Sequence, residues 1–155
     1  MSQEKDIRVI VEIKRNDRRE VVLQHDHVEG RQIMEKAGVP LHEHEELFAY
    51  RDGKFHPVSN DETITIKNGE HFVVIPRGAI RYSVNDEPQW TTEKELTPVQ
   101  IMKDAGIDPD KNYLSEIKEH QKPESFKDEP NKHIHMHDGI KFITTFVGPK
   151  PVSNC

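Results

Sequence analysis

Cysteine occurs once in the 155 residues, as Cys155, and tryptophan once, as Trp90. A lone cysteine has no partner within the chain, so no internal disulfide staples the fold, which suits a reducing compartment. No apolar run reaches the roughly 18 residues that cross a bilayer, and Met1 to Asp6 is polar and mixed in charge rather than a secretory signal. Neither sign of charge dominates, with 22 basic against 28 acidic residues and a net charge of −6. Without clustered cations there is nothing to displace counterions from a phosphate backbone, which excludes nonspecific nucleic-acid binding. The chain also lacks a phosphate-cradling glycine loop, a Gly-x-Ser-x-Gly elbow and an Asp-rich calcium loop. The expectation is a cytoplasmic protein that is not an enzyme, has no cofactor, and has neither a membrane nor a nucleic acid as partner.

Leucine is scarce as well, with five residues against 14 isoleucines and 13 valines. Val, Ile, Leu and Phe together make about a quarter of the chain, above the one-fifth or so below which disorder is expected. With 33% hydrophobic and 32% charged residues the core must be lean, and its β-branched bias suits pleated sheet.

The sequence is written twice. Gln32-Ile33-Met34-Glu35-Lys36-Ala37-Gly38-Val39 recurs 68 residues later as Gln100-Ile101-Met102-Lys103-Asp104-Ala105-Gly106-Ile107, with five of eight positions identical. Ile64, Ile66, Gly69 and Phe72 are answered 70 residues later by Ile134, Met136, Gly139 and Phe142. Upstream, the strand beginning at Val9 answers the one at Ile80, and Asn16-Asp17 answers Asn85-Asp86. Two units of this length are two small domains rather than a solenoid, whose repeats are shorter and more numerous. The boundaries fall at 1–78 and 79–148, with 149–155 as a tail.

Within the first unit, Val9, Val11 and Ile13 alternate with Ile10, Glu12 and Lys14, the period of a half-buried strand. Asn16-Asp17-Arg18 is read as its turn, and Glu20 to Gln24 as the returning strand. A helix follows, and its second copy has explicit ends: Thr97 as N-cap, Pro98 in the first turn, Gln100 closing a capping box, and Gly106 at the C-terminal end. Ile101 and Ala105 share one helix face, as do Ile33 and Ala37 before Gly38. Then come Leu47 to Tyr50, a turn at Arg51 to Lys54, a strand at Thr63 to Ile66, a hairpin turn at Asn68-Gly69, and a strand at His71 to Ile75. The fold class is α+β, a mixed sheet covered by one helix in each unit, the layout of a β-grasp domain.

That plan in tandem, the helix motif Gln-Ile-Met-x-x-Ala-Gly, and the ending Asp138-Gly139-Ile140-Lys141-Phe142 resemble the bacterial multiubiquitin family of ubiquitin-like domains. The resemblance runs from about Asp6 to Gly148. It implies a protein modifier whose C-terminal carboxylate is activated by an ATP-dependent adenylating enzyme, passed to a conjugating enzyme and attached to target proteins. It further implies a processing peptidase, encoded with these enzymes in clusters that resemble antiviral defence systems. A carboxylate that must enter such a site favours a terminal glycine on an extended tail. Gly148 follows the final strand, Lys141 to Val147, and precedes Pro149-Lys150-Pro151-Val152-Ser153-Asn154-Cys155, so cleavage between Gly148 and Pro149 would expose it. The chain departs from the familiar pattern in having no Gly-Gly pair there.

Phe48, Tyr50 and Val74 in the first unit, with Ile143 and Phe146 in the second, are candidates for a docking patch, because ubiquitin-like sheets are commonly bound on the face away from the helix. His133, His135 and His137 alternate along one strand and share a face, which a solvated outer surface explains without a metal. Cys155 has no base near it in sequence to lower its pKa and is not expected to be a nucleophile. Two other readings stay open: a noncovalent tandem β-grasp adaptor that keeps its tail, and a sulfur carrier, which duplication disfavours.

Overall fold

A computed structural model describes residues 6–14, 17–40 and 44–148. The chain divides into two compact units, residues 1–79 and 80–155. The first contains β1 (Ile7–Lys14), β2 (Asp17–Leu23), β3 (His27–Glu29), α1 (Gly30–Lys36), β4 (Glu45–Arg51), β5 (Lys54–Val58), β6 (Thr63–Thr65) and β7 (His71–Pro76). The second contains β8 (Ile80–Val84), β9 (Glu87–Thr91), β10 (Glu95–Leu96), α2 (Pro98–Asp104), β11 (Asn112–Ile117), β12 (Glu124–Ser125), β13 (Ile134–His135) and β14 (Ile140–Phe146).

Both units are α+β and mixed. The first sheet runs β2-β1-β7-β4-β5, and the second, read from the same end, runs β9-β8-β14-β11-β12. In each, the first and last strands pair in parallel at the centre, and all other neighbours are antiparallel. A two-stranded ladder, β3 with β6 or β10 with β13, stands apart from each sheet. This architecture is compatible with two tandem β-grasp-like domains. No helix among the described residues is long and apolar enough to cross a membrane.

The alternation read from the sequence decides what is buried. Val9 and Val11 are fully enclosed, and Ile13 packs against the same core, which Ile33, Met34, Ala37, Leu47, Phe72 and Val74 complete. Tyr82, Val84, Ile101, Met102, Leu114, Ile140 and Phe142 make the matching core of the second unit. Each helix is only seven residues long, too short to persist on its own, so it depends on this packing and on its ends. The Thr97 hydroxyl accepts from the Gln100 N–H at 3.2 Å, and the Thr97 N–H donates to Gln100 Oε1 at 2.9 Å, the capping box as expected. In α1 the N-cap is Glu29, whose N–H donates to Gln32 Oε1 at 2.7 Å. Gly38 and Gly106 close the two helices at φ of 76° and 77°.

The duplication extends to single hydrogen bonds. Ile66 N–H donates to the Asp26 carbonyl and Met136 N–H to the Lys94 carbonyl, both at 2.8 Å. Arg31 N–H donates to the Asn60 carbonyl at 3.1 Å, and Val99 N–H to the Pro130 carbonyl at 3.2 Å.

Three expectations are revised. Asp17 already belongs to β2, paired with Lys14, and is not a turn residue; Arg15 and Asn16 lie outside the described residues. Asn68-Gly69 is a turn but not a hairpin, because β6 pairs with β3 while β7 pairs with β1 and β4. The dipeptide redirects the chain from the small ladder to the middle of the large sheet. The histidine strand is only Ile134–His135, because its partner β10 stops at Leu96, where Thr97 begins to cap α2.

Gly30 starts α1 where the chain passes against the 59–62 loop, its N–H donating to the Glu62 carbonyl at 3.1 Å. A Cβ there would collide with the Ser59 carbonyl oxygen. Gly30→Ala should therefore cost about 2 kcal/mol, read as a lower urea midpoint. An unchanged midpoint would show that the loop yields freely.

Candidate functional site

The terminal strand is the centre of the candidate site, and a polar corner holds it in place. Ahead of β14, Asp138-Gly139 turns the chain onto β8. The Arg81 N–H donates to Asp138 Oδ1 at 2.8 Å, the Gly139 N–H donates to the Arg81 carbonyl at 2.8 Å, and the Arg81 guanidinium reaches Asp138 Oδ2 at 3.3 Å. The first unit builds the same corner with a neutral side chain. There the Arg8 N–H donates to Asn68 Oδ1, and the Gly69 N–H donates to the Arg8 carbonyl, both at 2.8 Å. Both glycines adopt the left-handed backbone, at φ of 85° and 93°, which a side chain would strain. The Asp-Gly dipeptide is visible in the sequence, whereas the part of Arg81 is not; its signal is an arginine near the start of each first strand, Arg8 and Arg81.

From that corner β14 runs between β8 and β11. Ile140 pairs with Tyr82 and Phe142 with Val84 in parallel, while Asn112 to Ile117 pair antiparallel with Phe146 back to Lys141. Among the described residues, the last backbone bond of the strand region is from the Val147 N–H to the Lys111 carbonyl, at 2.8 Å. Gly148 follows at φ 79°, and Gly78 holds the corresponding place after β7 at φ 85°. Among the described residues, a Cβ added at Gly78 would meet nothing within 4 Å, and one at Gly148 would meet a ring atom of Phe146 at 4.0 Å. Pro149 and Cys155 lie outside the described residues.

The docking candidates do not form one patch. Val74 faces α1 inside the core at 1% exposure, so it belongs to packing and not to a surface. Leu47 and Ala49 face the same core, and alternation therefore places Phe48 and Tyr50 on the other face. They are nonetheless buried. Tyr50 meets Phe55 edge-on at 4.9 Å and His71 at 6.0 Å, and Phe48 meets Phe55 at 6.2 Å. In the second unit Ile143, alternating with core Phe142, is half-buried on the face away from α2. Phe146 keeps the register of the core face but lies beyond the core, 69% exposed, beside exposed Val147. Of the five docking candidates, Phe146, two residues before Gly148, is thus the most exposed.

Alternation of the histidines holds, with Ile134 and Met136 buried and His133, His135 and His137 exposed. His133 Nδ1 and His135 Nε2 each lie 3.5 Å from a different oxygen of Glu95. Among the described residues, no group of three or more His, Cys, Asp or Glu side chains is arranged to hold a metal ion.

Partial burial pushes the Asp138 carboxyl up. The hydrogen bond from the Arg81 N–H, the Arg81 guanidinium and the neighbouring His137 outweigh it, so the carboxyl sits below its ordinary range. A lowered folded-state value means stability that is present above the unfolded carboxylate pKa of about 3.9 and is lost as pH falls through the folded value. The melting-temperature difference between wild type and Asp138→Asn should hold steady above about pH 4 and shrink below it. The variant should still fold, since Asn68 serves in the first corner. A difference that stays flat through the acid range would contradict a role for the charge.

Comparison with protein-family models and with curated proteins finds no match for the chain.

Proposed function

We propose that the chain is a tandem ubiquitin-like modifier, activated at Gly148 after removal of the residues that follow it. The observation that carries this reading is the placement of Gly148. It follows the central strand of a β-grasp-like sheet, beyond the last backbone hydrogen bond of that strand, and is flanked by the exposed side chains of Phe146 and Val147. Such a terminus can extend into a partner without unpairing the sheet. Adenylation of the Gly148 carboxylate by an ATP-dependent enzyme would release pyrophosphate and leave an acyl adenylate. A conjugating enzyme's nucleophile would displace AMP, and a target amine would then take the acyl group. The chain's own part is to present backbone without a terminal side chain, which a narrow channel accommodates.

The first unit, whose Gly78 leads through Ala79 into β8, has no free carboxylate at that glycine, which leaves it the part of a spacer or of a second docking site. The residues following Gly148 include Pro149 and Pro151, which cannot continue the β14 ladder.

Intact-mass analysis of the protein from its native cells tests this reading. A species ending at Gly148, with heavier adducts that vanish in Gly148→Ala, is the expected result. A chain that retains Pro149 under every condition, or is conjugated with Pro149 in place, sinks the proposal and leaves a noncovalent adaptor.

A further inference from the structure

Of the seven asparagines in the chain, Asn68 alone is followed by glycine; the others precede Asp, Tyr, Lys or Cys. Asparagine ahead of glycine is the pairing most open to attack from within the chain. The glycine nitrogen can close on the asparagine Cγ because no Cβ stands in the way and the glycine backbone turns freely.

Both residues are exposed to water, yet the fold holds the two reacting groups apart from each other's chemistry. The Gly69 N–H donates to the Arg8 carbonyl and Asn68 Oδ1 accepts from the Arg8 N–H, both at 2.8 Å. The Glu70 N–H closes the turn onto the Lys67 carbonyl at 3.2 Å, the Lys67 N–H donates to Glu70 Oε1 at 3.0 Å, and the Glu70 carbonyl accepts from the Ile10 N–H at 2.8 Å. For attack, the Gly69 nitrogen must give up its proton and the Asn68 carboxamide must rotate toward it. Both bonds to Arg8 have to break first. Arg8 lies in β1, whose parallel pairing with β7 begins two residues on, at Ile10 with His71, so the corner cannot let go without loosening that pair of strands.

We propose that Asn68 is a deamidation site gated by the fold, closed while the corner is clipped to Arg8 and open whenever β7 leaves β1. In the open chain the Gly69 nitrogen bonds to Asn68 Cγ and the Cγ–Nδ2 bond breaks. Nδ2 departs as ammonia with the proton that the Gly69 nitrogen gave up. Water then opens the five-membered imide at either of its carbonyls, giving aspartate or isoaspartate, with nothing oxidised or reduced. The second unit shows the fate of the first product. Aspartate at 68 can accept the Arg8 N–H as Asp138 accepts the Arg81 N–H, so the corner re-forms. Isoaspartate routes the backbone through Cγ, adding one carbon between residues 68 and 69. That carries the Gly69 N–H away from the Arg8 carbonyl, and this product cannot restore the corner. The modification thus records openings of the first unit, and part of the record is permanent.

The test is peptide mapping by mass spectrometry of the full chain, held in mildly alkaline buffer either folded or in guanidinium chloride. Exchange of the Asn68 amide NH2 for OH should run at least about tenfold faster in the denaturant. Its suppression in the folded protein should be no smaller than the protection of the Gly69 amide in native-state hydrogen exchange, because both require the bond to Arg8 to open. Asn68→Asp should melt close to wild type, whereas the purified isoaspartate form should exchange its Gly69 amide rapidly. Equal conversion in the folded and denatured chains would remove the gate, and an Asn68 that stays intact in denaturant would remove the site. An isoaspartate form whose Gly69 amide is as protected as in wild type would equally overturn the proposal.

Discussion

Each unit depends on the parallel pairing of its first and last strands, and on the two-residue corner that makes this possible. A parallel neighbour cannot be reached by a hairpin, so the chain must travel away and come back. Asn68-Gly69 and Asp138-Gly139 complete that return by clipping onto the backbone of Arg8 and Arg81. With the last strand fixed at the centre, the antiparallel strands flank it and the helix covers one face. A core built from so few large residues tolerates little error in this registration.

Much of the fold was legible, because the features that specify it are local. Alternation in Val9 to Ile13, the capping box at Thr97 and Gln100, and the glycines after both helices each announce one element. The repeated octapeptide announced the second copy. What escaped was pairing at a distance. Asn68-Gly69 reads as a hairpin because nothing within a few residues shows that β7 will join β1 rather than β6. The docking candidates divide for a related reason. A hydrophobic residue in a strand looks alike on either face, so Val74 is a candidate although it is core, and so are Phe48 and Tyr50 although Phe55 and His71 pack against them, while Phe146 is exposed.

The two copies have diverged where function could use the difference. The second carries the exposed Phe146 and Val147 ahead of Gly148. The first carries Asn68 where the second has Asp138, while its Gly78 leads through Ala79 into β8. Features required by the shared fold, such as the arginine corners, recur in both copies, and the others belong to one copy only.

Placing the final strand in the middle of the second sheet ties the state of the terminus to the history of the chain. During synthesis the first unit can close once β7 has emerged, but the second lacks its centre until Phe146 has been made. A partly synthesised or clipped chain missing β14 leaves β8 and β11 without their shared neighbour, an incomplete sheet rather than a smaller one. An intact strand leading to Gly148 is in effect a certificate that the unit carrying it has been finished. Any enzyme that recognised that strand in its paired form would pass over defective copies without a separate inspection step.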